Sequence, residues 1–471
     1  MKPVLRVDEM RAVDAEGLKH VSEEVLVERA GTAVATWAVR MLGGTYGRNV
    51  VVVAGKGNNG ADGRVAATRL RRRGARVTVV DAGDAPDRIG PAGTVDLVID
   101  AAYGTGFRGT YRAPAVPPGV PVLAVDIPSG VNGDTGEACG EPLRADVTVT
   151  FAAIKTGLLQ GDGSLLAGRV EVADIGLDVS GARMWMIEDA DVVRFLSPRP
   201  RDAHKWTSAL SVVAGSPGMT GAAGLCARAA YRSGAGMVRL GIPGGDLADF
   251  SVSEAVGTEL PARGWSSEAL AMSQRCRASV VGPGLGRADS TVADVRAVVA
   301  RTTVPIVVDA DGLFALGSGD EIGAVVRAVP EDAGAATGRG APTVVLTPHE
   351  GEFARLAGAP PGEDRITAAS ALAERCGAVV LLKGPTTVVA DPAGQVLVVT
   401  AGSPRLATAG TGDVLSGAIG AFVARGVEPR LAAALAAHAH GRAAALGPPE
   451  GLVAGDLAEL LGRWLSGLRR G

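Results

Sequence analysis

The stretch Ala409-Gly-Thr-Gly-Asp413 runs straight into Val-Leu-Ser-Gly-Ala-Ile-Gly-Ala-Phe. Two glycines frame a threonine, an acid follows, and an apolar helical pattern begins. A glycine turn at a helix start aims unpaired N–H groups and the positive end of the helix dipole at one point, which suits a phosphate. An acid cannot hold that anion, so Asp413 suits proton exchange with a hydroxyl. Alone, the stretch reads equally well as a capped helix start. Upstream, Lys383-Gly384-Pro385-Thr386-Thr387 places a cation, flexible backbone and two hydroxyls after an apolar run, a cradle for phosphate. His349 ends another apolar run beside Glu350 and Glu352, where it suits substrate contact. With the cradle in place, the turn reads as a site of phosphoryl transfer with Asp413 as its catalytic acid/base.

A second set of polar residues lies in the first half. The run Asn49–Ala54 ends in Gly55-Lys-Gly-Asn-Asn-Gly-Ala-Asp-Gly63, Val95–Asp100 ends in Ala-Ala-Tyr-Gly104-Thr-Gly-Phe-Arg-Gly109, and Val120–Asp126 ends in Ile-Pro-Ser129-Gly. Each loop is also ordinary turn chemistry. Three of them at one sheet edge point to a ligand, because open parallel sheets bind beyond the carboxyl ends of their strands. Asn59, Asp100 and Ser129 supply hard oxygen donors for a small cation. The glycine loop reads as distinct from the dinucleotide fingerprint: it is rich in Asn and carries its acid, Asp62, within the loop.

Strand–helix alternation must position these residues. Residues 8–41 read as two helices. Short continuous apolar runs follow, as expected of strands buried on both faces of a parallel sheet, among them Val77–Asp81. Ser197-Pro-Arg-Pro-Arg201 cannot continue a helix and marks a joint. Alternation then restarts with strands at Leu210–Ala214, Met237–Gly241, Pro305–Asp309, Thr343–Thr347 and Ala378–Lys383, a hairpin strand at Gln395–Thr400, and helices near 412–425, 429–446 and 453–466. This predicts an α/β chain with domains at 1–190 and 191–471. With 471 residues, two or three domains are expected. A net charge of −3 gives no basic field for nucleic acid. No apolar run is long enough to span a bilayer. The four cysteines are too widely spaced for a metal site or a disulfide framework. A cytoplasmic protein is expected.

The motifs Lys-Gly-Asn-Asn-Gly-Ala-Asp-Gly, Asp-Ala-Ala-Tyr-Gly-Thr-Gly-Phe-Arg-Gly, Val-Asp-Ile-Pro-Ser-Gly-Val and Phe-Ala-Ala-Ile-Lys-Thr-Gly occur in order. Residues 8–185 thereby resemble the NAD(P)H-hydrate epimerase family, the YjeF N-terminal type, with a Rossmann-like three-layer fold. The resemblance implies that Asn58, Asn59, Gly60, Ala61, Asp62, Gly104, Thr105, Gly106, Phe107, Arg108, Gly109, Thr110 and Asp126 contact a hydrated nicotinamide nucleotide. It also implies that Asn59, Asp100 and Ser129 hold potassium. Inverting a hemiaminal carbon needs acid/base help, for which Asp126 and Lys155 are the candidates, their individual roles open. Ala61 stands where the family usually has glycine, which requires negative φ there.

Residues 190–468 resemble the ADP-dependent (S)-NAD(P)H-hydrate dehydratase family, with a ribokinase-like fold. Ala-Gly-Ser-Pro-Gly-Met-Thr-Gly-Ala-Ala, Val-Gly-Pro-Gly-Leu-Gly, Val-Asp-Ala-Asp-Gly-Leu, Leu-Thr-Pro-His-Glu-Gly-Glu-Phe, Leu-Lys-Gly-Pro-Thr-Thr and Ala-Gly-Thr-Gly-Asp-Val-Leu-Ser-Gly carry the resemblance. It implies nucleotide contacts at Lys383, Gly384, Pro385, Thr386, Thr387 and Gly412, and substrate contacts at Ala222, Gly284, His349 and Asp413. ADP as phosphoryl donor and magnesium are implied. Trp206 replaces a small residue near the implied nucleotide site, so Lys205 is not assigned. The expected partners are the small molecules NADHX, NADPHX and ADP, with neither nucleic acid nor membrane, and a homo-oligomer is expected. Two other readings stand beside this one: a ribokinase-like small-alcohol kinase fused to a nucleotide-binding module, and a module that senses hydrated cofactor without converting it.

Overall fold

The computed structural model describes residues 1–91, 93–246, 252–330 and 342–468. Its contacts form two compact units, Lys2–Trp185 and Met186–Gly471, the latter taking in Met1.

In the first unit, α1 (Val7–Gly17) and α2 (Glu23–Leu42) precede β1 (Asn49–Ala54), α3 (Asn58–Arg72) and β2 (Arg76–Asp81). The strands β3 (Leu97–Ala101), β4 (Val122–Val125), β5 (Val147–Phe151) and β6 (Arg169–Ala173) follow. All six are parallel in the order β6-β5-β4-β3-β1-β2. Chain order therefore reverses at β1, between β2 and β3, and the ligand crevice of such a doubly wound sheet opens beyond the carboxyl ends at that point. The central strands β3, β4 and β5 are buried throughout, the threonines of β5 and Asp100 of β3 included, while β2 at the edge is half-exposed. The apolar runs identified β1 to β4. They missed β5 and β6, whose Thr148, Thr150, Arg169 and Glu171 break the apolar pattern.

One local reading is corrected. Asn58 to Asp62 do not form a loop that precedes a helix; they are the first turns of α3. Ala61 is accordingly absent from the positive-φ residues, and its methyl is unstrained. Asp126 and Ala152 do take positive φ, 65° and 61°, at the carboxyl ends of the neighbouring strands β4 and β5. Non-glycine residues held there mark strain of about 1–3 kcal/mol that the surroundings must enforce.

The second unit holds β7 (Ala209–Val213), α4 (Thr220–Arg232), β8 (Met237–Pro243), β9 (Val256–Leu260), β10 (Ala278–Val281), β11 (Ile306–Val308) and β12 (Val344–Leu346). After these come α5 (Glu350–Ala357), β13 (Val379–Leu382), β14 (Thr387–Ala390), β15 (Val396–Val399), α6 (Thr411–Ala424), α7 (Pro429–Ala444) and α8 (Ala454–Gly467). Strands run in the order β9-β8-β7-β10-β11-β12-β13-β14-β15. They are parallel up to β13, and β14 and β15 close the series as an antiparallel hairpin. Helix α6 is buried along nearly its whole length. Small residues make this possible: a Cβ on Gly417 would collide with Cys226 O of α4. Trp206 packs with Ala209, Met237 and Cys276 and lies 4.0 Å from the Arg275 guanidinium, so the bulky residue is absorbed by packing.

Two candidate active sites

A cavity of about 710 Å³ opens over the switch point of the first unit. Asn58, Asn59, Asp62, Gly104, Thr105, Gly106, Phe107, Asp126 and Lys155 line it, as do Asp14 from α1 and Asp81 to Gly83 after β2. Gly60, Ala61, Arg108, Gly109 and Thr110 do not. Tyr103 and Phe107 form a tilted ring pair on its wall, with centroids 4.6 Å apart.

The glycine turn proves closer to the dinucleotide fingerprint than the sequence reading allowed. A Cβ on Gly55 would collide with Ala102 O and one on Gly60 with Gly55 O, whereas one on Gly57 would meet nothing within 4 Å. The first and third glycines thus permit close backbone approach, and the second leaves the backbone open where α3 begins. The distant acid is also present: Asp81 ends β2, the parallel neighbour of β1.

At the cavity floor, the Lys155 ammonium donates to Asp126 Oδ1 at 2.6 Å, Thr150 Oγ1 at 3.0 Å and the Phe151 carbonyl at 3.0 Å. Lys155 is buried, so a buried cation meets its counter-ion and all its donors are used. Thr150 Oγ1 also donates to Asp126 Oδ1, at 3.0 Å. Two further acids face this pair. Burial, reinforced by the Asp126 carboxylate and opposed by Lys155, pushes the Asp62 carboxyl up to about 8. Burial likewise raises Asp14, with Lys155 opposing it and Asp126 adding to it. Asp62 therefore keeps its proton at neutral pH, beside the Lys155–Asp126 ion pair.

Below this floor, Asp100 is buried. Its oxygens accept from Ser129 N at 2.8 Å, Ser129 Oγ at 2.6 Å and Ala102 N at 3.4 Å, and burial raises its pKa. Among the described residues no cationic side chain pairs with it. Asn59 is buried too, and its Nδ2 has no hydrogen-bond partner. A buried carboxylate without a counter-ion and the Ser129 hydroxyl fit a monovalent cation, and Asn59 can join them through its Oδ1, the unpartnered Nδ2 being a donor that does not ligate one.

In the second unit, Gly410 takes φ 89° and is the N-cap of α6, whose first turn has no side-chain cap. Lys383, after β13, donates to Asp309 Oδ1 at 2.9 Å, and Ser416 Oγ of α6 donates to Asp309 Oδ2 at 2.6 Å. A Cβ on Gly412 would stand 3.4 Å from Lys383 Nζ and 3.7 Å from Asp309 Oδ2, so helix start, ammonium and carboxylate converge. Burial would raise Asp309, but the Lys383 ammonium and hydrogen bonds from Ser416, Lys383 and Thr347 hold it below the usual carboxylate range. Among the described residues Asp413 has no such partner. Burial, then the Asp309 carboxylate, push it up to about 7 against the pull of Lys383. A carboxyl balanced near neutrality suits proton exchange at a hydroxyl.

Ala222 and Gly284 meet, a Cβ on Gly284 falling 2.9 Å from Ala222 Cβ. His349 is the N-cap of α5: its Nδ1 accepts from Gly351 N at 3.0 Å and Glu352 N at 3.3 Å, while the side chain stays mostly exposed. Thr386 and Thr387 are buried, and Thr387 Oγ1 donates to Gly384 O at 3.2 Å within its own turn. Sequence reasoning did not assign Asp309, Ser416 or Arg365. Arg365 is buried behind the cradle, pairs with Glu350 and donates to Lys383 O at 2.8 Å. The polar end of β11 signalled Asp309; nothing in the sequence signalled Arg365.

The family described as NAD(P)H-hydrate dehydratase matches residues 210–465, and that described as YjeF-related protein N-terminus matches residues 23–92 and 80–157. The chain is 40% identical over 463 residues to the bifunctional NAD(P)H-hydrate repair enzyme Nnr of Mycobacterium tuberculosis, with 92% of each chain covered. It is 36% identical to the protein of the same name from Salinibacter ruber, covering 98% of this chain and 96% of that one. The crystal structure of an ADP/ATP-dependent NAD(P)H-hydrate dehydratase from Bacillus subtilis, co-crystallised with ATP and magnesium, is similar at 27% identity and a TM-score of 0.50. That likeness covers 60% of this chain and 98% of the other.

Proposed function

The chain belongs to the family of bifunctional NAD(P)H-hydrate repair enzymes, and from that membership we propose how its sites divide the work. The protein repairs hydrated NADH and NADPH: one activity interconverts the R and S forms, the other dehydrates the S form with a nucleotide. We assign the first to residues 1–190 and the second to residues 191–471.

In the first, the hydrated nicotinamide lies against Asp126 and Lys155. Epimerisation breaks and remakes a bond at C6, with a proton moving on and off the departing oxygen. Asp62, protonated at neutral pH, gives that proton, and the Lys155-paired Asp126 takes one back. Asn59, Asp100 and Ser129 would hold potassium, which supplies positive charge beside the buried carboxylate.

In the second, Asp413 takes the proton of the C6 hydroxyl as the oxygen attacks the terminal phosphoryl group of ADP, whose bond to the bridging oxygen breaks to release AMP. The N–H groups at the start of α6 and the Lys383 ammonium receive the charge on the moving group. Hydroxide becomes phosphate, a better leaving group, and its elimination restores the reduced nicotinamide. Among the described residues no cluster of three or more His, Cys, Asp or Glu could form a protein cage for a divalent ion. Magnesium, which neutralises phosphate charge, would be held largely by the nucleotide itself.

The observation that carries this reading is Asp413, raised to about 7 beside the Lys383–Asp309 pair at an open helix start. The test is absorbance. The S form mixed with ADP regains the absorbance of reduced nicotinamide, and the R form does so at a rate above its spontaneous epimerisation. Accumulation of a stable phosphorylated alcohol would instead favour a small-alcohol kinase.

A further inference from the structure

Asp81 has no role in the chemistry above, yet it lines the same cavity with Ala82 and Gly83, at the carboxyl end of β2. The half-exposed Arg64 of α3 holds it. Arg64 Nη1 donates to Gly55 O at 2.7 Å, and Nη2 to Asp81 Oδ1 at 3.1 Å. One guanidinium thus ties the first glycine of the turn to the acid of the neighbouring strand.

The placement is that of a dinucleotide site. The backbone at Gly57 is open to a pyrophosphate, as its bare surroundings show, and α3 starts there. A pyrophosphate at that point leaves one nucleoside half toward Asp126 and Lys155 and the other toward Asp81. An acid at the end of the second strand of a βαβ unit accepts from a ribose hydroxyl and repels a phosphate on it.

We propose that Asp81 sets the dinucleotide preference of the epimerase site, its carboxylate accepting the ribose 2′-hydroxyl of hydrated NADH and repelling the 2′-phosphate of hydrated NADPH, so that both are converted and the first more efficiently. The inference rests on the epimerase reading of this unit. Two other charged groups are close in sequence: Lys56 on the turn and Asp84 after β2, both exposed. Arg64 does not rescue the phosphate, because Gly55 O and Asp81 already hold it. Loss of the Asp81 charge removes the repulsion and frees half of that guanidinium at once.

The test uses the full-length protein, with R and S forms of each hydrated dinucleotide separated by chromatography and no coupling to dehydration. Wild type has a higher kcat/KM for NADHX. In Asp81→Asn the NADHX to NADPHX ratio falls at least tenfold, and Arg64→Ala on that background removes the gain with NADPHX. Circular dichroism and thermal unfolding of each preparation report folding of the unit that carries Asp81 and Arg64. An active Asp81→Asn enzyme with an unchanged ratio, or a wild type that prefers NADPHX, overturns the proposal and leaves the epimerase reading standing. A wild type that epimerises neither dinucleotide overturns both.

Discussion

Replacing Asp413 by Asn should abolish dehydration and stabilise the unit that carries it. Its carboxyl sits at about 7 in the folded protein against an ordinary 3.8. At about 1.4 kcal/mol per pKa unit, ionising it at pH 8 sets the folded state back by roughly 4 kcal/mol if the shift is complete. Partial solvent access trims this to on the order of 2–3 kcal/mol. The sign is fixed by the direction of the shift. A carboxyl raised on folding leaves stability intact below about pH 4, where both states hold the proton, and erodes it as pH climbs to 7. Asp413→Asn should therefore match wild type at pH 4 and unfold at a higher denaturant midpoint at pH 8. Catalysis runs the other way. The ionised fraction is about 0.1 at pH 6 and 0.9 at pH 8, so wild-type kcat for dehydration should rise roughly tenfold between them. The Asn variant should lose on the order of 10²–10⁴ in rate and keep epimerase activity. A variant that retains a tenth of the rate, or that is no more stable at pH 8, would refute the assignment of Asp413 as base.

Lys155→Met leaves the half-buried Asp126 without its partner, at a cost of about 2–4 kcal/mol, and should abolish epimerisation. The double variant Lys155→Met/Asp126→Asn should recover stability in thermal unfolding without recovering the rate. Gly282 takes φ 129°, and a Cβ there would collide with Asp309 O; Gly282→Ala should destabilise by more than about 1 kcal/mol and depress dehydration, with epimerisation unchanged in the same preparation. Potassium chloride, compared with choline chloride at equal ionic strength, should raise the unfolding temperature of the wild-type epimerase unit, and Asp100→Asn should erase that difference.

The sequence made legible what is local in the chain. Continuous valine and isoleucine runs located the central strands within two or three residues, because a strand buried on both faces tolerates little else. The glycine turns were legible because only glycine survives close backbone approach, as at Gly55 and Gly60. What depends on distant partners was not. His349 reads as a substrate contact, and its Nδ1 has the further task of capping its own helix. Asp14 belongs to no motif, and α1 carries it to the cavity beyond β1 and β3. Asp81 ended an edge strand without comment, because its meaning lies in being the parallel neighbour of β1. Arg365 is separated by 18 residues from the Lys383 carbonyl it supports, and no spacing rule connects them.

The two sites reach the same electrostatic solution from unrelated sequence. Each sets a lysine–aspartate pair with one buried and one half-buried member, Lys155–Asp126 or Lys383–Asp309, at the carboxyl end of a parallel sheet, and each places a second acid beside it. Seen from that second acid, the ammonium and the carboxylate of the pair largely cancel. Burial is then the largest influence, and it lifts Asp62 to about 8 and Asp413 to about 7. A lone lysine would have pulled the acid down and made it a poor base; a lone carboxylate would have pushed it higher still. The pair holds the neighbourhood near neutral charge, so that depth alone tunes the proton affinity. Removing only the lysine should therefore raise the second acid, and removing only the paired aspartate should lower it. Asp309→Asn should accordingly move the pH profile of dehydration to lower pH, even as it weakens the positioning of Lys383.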